Sequence, residues 1–327
     1  MSQIHESLAL VLGGGGAAGN AWEIGIIAGL AEAGLDLTQA AELVIGTSAG
    51  ATAAAQVRSG IPPADLLASV LSGPTRPAGA ARPAGAAQPA GAARPAGHGQ
   101  ERPPSLPMAT VFERMRAIGA AATSAAELCR AMGAFGLESD AILAPGAEQR
   151  RAIVAARLPH PDWPDRPMIV TALDAQTGDL AAFDRDSGAD LADAVTASTA
   201  LPGLVPTVAI NGRRYIDGGV RSTDNADLAA GYANVVVLSP LGGRTQTAPD
   251  SSGQFEGLRR LPGMDLASQV EALREQGSRV EVITPDAGSR AAMGTNQMDP
   301  ATRIPAARAG FAQGQQEATR VKSLLVS

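Results

Sequence analysis

The chain has 327 residues, 45% of them hydrophobic and 18% charged, which is enough to bury a large core as one domain or two small ones. A net charge of −6 argues against a nucleic-acid partner, because phosphate binding calls for a basic face. The opening "MSQIHESLALVLGGGG" has no basic stretch ahead of its short apolar run, and nowhere do apolar residues continue for the roughly 18 positions that a membrane span needs, so a soluble, cytoplasmic protein is expected.

In chain order, "SLALVLG" (7–13) reads as a strand and "AWEIGIIAGLAEAG" (21–34) as a helix closed by Gly34. A second strand, "ELVIG" (42–46), precedes a helix at 50–60 that Gly60 stops, with Pro62 beyond it. Residues 76–97 then repeat RPAGAA, RPAGAA, QPAGAA, RPAG, with no large apolar side chain to offset the entropy of ordering, so 73–104 is expected to be a disordered or polyproline-like insert. Arg76, Arg82, Arg94 and Arg102 face only Glu101 there, which leaves peripheral contact with an anionic membrane open beside a passive linker. Helices are expected near 108–135 and 145–157. Cys129 lies in the first of these; as the single cysteine it forms no internal disulfide and reads as a small buried thiol.

Strands follow at 167–174 and 180–184, a helix at 189–199, and a hairpin at 208–217 turning on Asn211-Gly212. A fully apolar strand at 233–241, a helix at 264–277, a strand at 279–285 and a last amphipathic helix at 304–325 complete the chain. Strands alternating with helices predict an α/β fold, a mostly parallel sheet covered by helices on both faces, here as one domain over 1–327 interrupted by the insert.

Two turns follow strands and open helices. In "GGGGAAGNA" (13–21) consecutive glycines can aim backbone N–H groups into one concavity at a helix N-terminus, an anion site. Gly14, Gly16 and Gly19 also fit a dinucleotide fingerprint, but the ribose-binding acid is missing from the end of the second strand, and Asp36 lies before it. The same N–H groups suit the oxyanion of a tetrahedral intermediate. In "GTSAG" (46–50) small residues at Gly46, Ala49 and Gly50 allow a sharp strand-to-helix turn that leaves Ser48 exposed, with a helix dipole behind it.

A serine nucleophile usually asks for a histidine, and His5, His98 and His160 all stand away from the end of a late strand. Asp217, followed by Gly218 and Gly219, ends the second arm of the hairpin. It is either a simple Asp-Gly turn or the group that takes the Ser48 proton, in which case the glycine turn must carry much of the transition-state charge. Asp174 and Thr177 read as a turn, Asp184, Asp186 and Asp190 as solvated acids, Trp22 and Trp163 as packing residues, and Ser198 and Pro202 as supports for the segment before Asp217. No metal or cofactor is expected.

Together, "GGGGAAG" (13–19), "GTSAG" (46–50) and "DGG" (217–219), with "ASTALPGLVPTVAINGRRYIDGG" (197–219) leading into the last, resemble the patatin-like phospholipase family. The resemblance implies a three-layer α/β/α fold, a Ser48–Asp217 dyad without histidine, an oxyanion hole of Gly14, Gly15 and Gly16, and hydrolysis of lipid or acyl-ester substrates through an acyl-enzyme. Ala18 stands where the family commonly has Arg or Lys, which puts action on phospholipids in question more than esterase action. Two rival readings are a nucleotide-binding protein and a catalytically silent lipid-binding module.

Overall fold

The structure, a computed structural model, describes residues 7–73, 105–242, 261 and 263–326. Apart from Gly73, the expected insert at 73–104 lies outside them, as do His5 and His98. β1 (Leu8–Leu12) leads into α1 (Gly16–Glu32) and the single turn α2 (Leu37–Ala40), and β2 (Leu43–Thr47) into α3 (Ala49–Val57) and α4 (Pro63–Leu71). Helices α5 (Met108–Ala121), α6 (Ala125–Leu143) and α7 (Ala147–Ala155) come next, then β3 (Met168–Asp174), β4 (Leu180–Phe183) and α8 (Leu191–Ser198). The hairpin of β5 (Val208–Ile210) and β6 (Arg213–Asp217) precedes β7 (Asn234–Leu238), α9 (Leu266–Glu275), β8 (Arg279–Ile283), α10 (Ala287–Met293) and α11 (Arg303–Val326).

The strands form one eight-stranded sheet in the order β5-β6-β3-β2-β1-β7-β8, with β4 also paired to β3. From β3 to β8 neighbouring strands are parallel; β4, β5 and β6 add antiparallel pairings. Every residue of β1, β2 and β7 is buried, as expected of parallel strands covered on both faces. Alternation divides β1 between two cores. Leu8, Leu10 and Leu12 pack with Trp22, Ile26 and Ala307, whereas Ala9 and Val11 pack with Val237, Val270 and Leu273. A third core, with Phe112, Met115 and Phe135, closes over Leu173 and Ile216.

α1 starts at Gly16, earlier than expected, and is buried on every side from Ala18 to Leu30. The reason is tertiary: α11 lies across it so closely that backbones touch. A Cβ on Gly29 would fall 2.2 Å from the Phe311 carbonyl oxygen, and one on Gly310 2.4 Å from that of Trp22. The helix expected near 108–135 divides at Ala122, whose backbone is extended. Ser124 Oγ accepts the Glu127 N–H at 3.2 Å while Glu127 accepts the Thr123 N–H at 2.8 Å, a reciprocal cap that starts a new helix. α2, α4 and α10 were not expected; α4 begins with Pro63, whose missing N–H costs nothing in a first turn.

Candidate active site

The carboxyl ends of β1 and β2 stand level, Leu12 opposite Gly46, so the glycine turn and the Ser48 turn open side by side. Ser48 is half-buried at the N-cap of α3, with φ 55° and ψ −118°. A non-glycine residue in that region costs on the order of 1–3 kcal/mol and persists only where its surroundings enforce it. Here the enforcement is contact between α3 and the sheet. A Cβ on Gly50 would sit 2.0 Å from the Leu12 carbonyl oxygen, and one on Gly46 2.6 Å from the Ala51 Cα. The Ser48 N–H donates to Ser198 Oγ at 2.8 Å, so the residue expected to support only the segment before Asp217 touches the turn itself.

Asp217 ends β6, where pairing of Ala172 with Asp217 carries it to β3 and thus to the neighbourhood of β2. Its Oδ2 accepts the Ser48 hydroxyl at 2.8 Å and its Oδ1 the Gly219 N–H at 2.8 Å. Only 4% of the residue is exposed. Burial pushes its carboxyl up to about 7, against the Gly219 and Ser48 hydrogen bonds and the charge of Arg150, which favour the ionised form. Gly218 and Gly219 leave room for this: a Cβ on Gly218 would meet Thr171 Oγ1 at 2.5 Å, and one on Gly219 would crowd Asp217 Oδ1 at 3.0 Å. Beneath the pair, Asn225 donates to Thr47 Oγ1 at 3.1 Å and to the Ser222 carbonyl at 2.8 Å, and Thr47 and Thr171 share a 2.9 Å hydrogen bond. This buried network ties β2, β3 and the segment after Asp217 into one support.

In the glycine turn, Gly14 lies against Ser48, its Cβ direction reaching Ser48 Cβ at 3.4 Å. The Gly14 N–H is already committed to the Thr223 carbonyl at 2.7 Å. The N–H groups of Gly15 and Gly16 carry no hydrogen bond among the described residues. Gly16 has φ +63°, and a side chain there would strike the Gln297 carbonyl at 2.8 Å, so glycine is required twice over. Gly14, Gly15, Gly16, Ser48 and Asp217 line one cavity of about 670 Å³, whose lining also includes the apolar side chains of Val70, Met115, Leu128, Met132 and Leu201.

The other residues singled out in the sequence stand elsewhere. His160 is exposed, with Nε2 3.1 Å from the Ser59 carbonyl oxygen, and no histidine lines the cavity among the described residues. Asp36 caps α2 through Thr38, which leaves it a local structural role. Asp174 accepts the N–H groups of Gln176 and Thr177 and pairs with Arg213, Trp22 is buried and donates to Gln313, and Cys129 is buried on α6. Arg150, which acts on Asp217, carried no mark in the sequence; "EQRRAIVAAR" looks like any polar helix surface.

The pattern of the patatin-like phospholipase family matches residues 10–230, a span that contains both turns and Asp217. The chain belongs to that family. It is thereby a lipid acyl hydrolase in the general sense, and its central sheet flanked by helices is the patatin-like fold. The nucleotide-binding reading, which rested on the glycine turn alone, gives way to this. A solved structure similar to the chain is VipD from Legionella pneumophila, 14% identical over 97% of this chain and 67% of that one, with a TM-score of 0.43. No curated protein matches. Among the described residues no helix is long and apolar enough to cross a membrane. Ala18, at the family's usual basic position, is fully buried, and its N–H donates to the Gln297 carbonyl at 3.0 Å.

Proposed function

We propose that the chain hydrolyses carboxylic esters of lipids, as a phospholipase A, lysophospholipase or esterase, through an acyl-enzyme built on a Ser48–Asp217 dyad. The observation that carries this reading is the 2.8 Å hydrogen bond from the Ser48 hydroxyl to a buried carboxylate, inside a cavity lined in part by apolar side chains. Ser48 Oγ attacks the ester carbonyl carbon while its proton passes to Asp217 Oδ2. The carbonyl oxygen takes up negative charge and meets the N–H groups of Gly15 and Gly16 at the start of α1. As the carbon–oxygen bond breaks, Asp217 returns the proton to the leaving alcohol. Water then attacks the acyl-serine carbonyl, again losing its proton to Asp217; as the bond from the acyl carbon to Ser48 Oγ breaks, Asp217 returns that proton to Ser48 and the carboxylic acid leaves. The methionines and leucines of the lining suit an acyl chain, and no step requires a metal.

An alkyl fluorophosphonate should label Ser48, as read by peptide mapping. The Ser48→Ala variant should lose turnover of a short-chain nitrophenyl ester by at least about 10⁴-fold at unchanged fold. A folded Ser48→Ala variant with wild-type turnover overturns the dyad, and a folded wild-type chain with neither labelling nor turnover is the silent lipid-binding module instead.

A further inference from the structure

Four arginines line the cavity, and one of them, Arg221, is neutralised by an ion pair with Asp227. The other three, Arg150 on α7, Arg157 just past it and Arg303 at the start of α11, make no ion pair among the described residues. Asp217 is the one carboxylate in the lining among those residues. Arg150 reaches Thr199 Oγ1 with Nη2 at 2.9 Å, while its Nε is buried without a partner. Arg303 holds only Asn20 Oδ1, at 3.4 Å, and Arg157, an exposed residue, makes no side-chain hydrogen bond among the described residues.

Gathering three unpaired guanidiniums at one cavity opposes folding in two ways. A buried N–H donor loses its water, and like charges repel. Both effects are visible: burial depresses Arg150 and Arg303, and the charge of Arg157 depresses each further, offset in part at Arg150 by the charge of Asp217. In a chain of net charge −6 many carboxylates exist that could have neutralised the cluster, yet the lining offers it only Asp217, whose charge reaches Arg150 and which the hydrolytic pair already uses. An arrangement of this kind is relieved by an anion with several oxygens, which a guanidinium fork matches.

We propose that Arg150, Arg157 and Arg303 form an anion subsite beside Ser48 and Asp217, which takes the phosphate carried by an acyl-ester substrate. This rests on the reading of Ser48 and Asp217 as the hydrolytic pair. It answers the loss of the basic residue at Ala18, because cations from α7 and α11 enter the same cavity from elsewhere in the fold. Two sources share the ligand chemistry, the head-group phosphate of an acyl ester and free inorganic phosphate.

The experiment compares kcat/KM for 1-oleoylglycerol 3-phosphate and for 1-oleoylglycerol, both below their aggregation thresholds. The ratio of the two should favour the phosphate ester in the wild type. It should fall about tenfold in Arg157→Gln and in Arg303→Gln, each checked for a wild-type melt, and stay within about threefold in Arg157→Lys. A ratio unmoved by the glutamine variants overturns the subsite while leaving Ser48 and Asp217 in place. If the wild type hydrolyses neither ester, calorimetric titration of inorganic phosphate decides. Heat that disappears in the Arg157→Gln/Arg303→Gln double variant keeps the subsite and assigns it to free phosphate, while fluorophosphonate labelling of Ser48 decides the hydrolytic reading separately; no heat with the wild type overturns the subsite.

Discussion

Asp217 is a carboxylic acid that folding drives toward neutrality, and the same burial that makes it a better base makes the protein less stable. In the proposed cycle only the ionised form accepts the Ser48 proton. With the carboxyl pushed up to about 7 by burial, kcat/KM for a neutral ester should therefore rise with pH through about 7 and level off above it. A profile flat from pH 5 to 8 would remove Asp217 from the role of base. Stability runs the other way. The folded chain holds this proton up to about pH 7, whereas an unfolded aspartate releases it near 3.8, so between those values stability falls as pH rises. Asp217→Asn keeps an acceptor for the Gly219 N–H and cannot ionise. Its stability advantage over the wild type should widen by on the order of 2–3 kcal/mol from pH 5 to pH 8, measured by denaturant unfolding, with activity lost. A constant difference across that range would show that Asp217 does not titrate where its burial places it.

At the scale of elements, the site depends on helices lying closer to their neighbours than side chains ordinarily allow. Gly50 brings α3 into backbone contact with β1 and Gly46 brings it against β2, which holds Ser48 at positive φ; Gly25, Gly29, Gly310 and Gly314 make the same kind of backbone contact between α1 and α11. Trp22 Nε1 donates to Gln313 Oε1 at 3.1 Å across that second junction. Because α1 carries the glycine turn at its start, its seat on α11 sets where the Gly15 and Gly16 amides point. Gly29→Ala, with its Cβ 2.2 Å from the Phe311 carbonyl oxygen, should destabilise the protein by about 1–3 kcal/mol in denaturant unfolding, although alanine is the better helix former. A stabilised Gly29→Ala chain would mean that the two helices have room to separate.

For the molecule as a whole, the family match ends at residue 230, yet the remaining chain completes the site. β7 pairs with β1 along its full length, the Leu238 carbonyl accepts the Gly13 N–H at 2.9 Å, and Pro240 packs on Gly15 and Gly19. α11 covers α1 with Ala306, Ala307, Ala318 and Val321, all buried, and brings Arg303 to the cavity. A chain ending at residue 302 exposes to water a face of α1, a helix buried on every side from Ala18 to Leu30 and rich in apolar residues. Such a truncation should lose cooperative thermal unfolding and aggregate on gel filtration; a sharp melt at the wild-type temperature would show that α11 is dispensable to the fold.

The sequence by itself determined what depends on local order: the apolar runs of β1, β2, β3 and β7, the glycine positions where chain must turn or touch, the Asn211-Gly212 hairpin, and the three motifs that carry the family resemblance. Ser48 and Asp217 were legible because each stands in a turn whose small residues announce it. The cap that splits α5 from α6 was also written there, in Thr123, Ser124 and Glu127, but the apolar spacing across it masked the signal. What only the tertiary structure decided depends on residues distant in sequence. The Gly14 amide is occupied by Thr223, Ser198 holds the Ser48 amide, and Arg150, Arg157 and Arg303 meet across some 150 residues. A short motif encodes backbone shape, but whether an amide is free, an acid is dry or a cation lacks a partner is set by which distant elements pack around it.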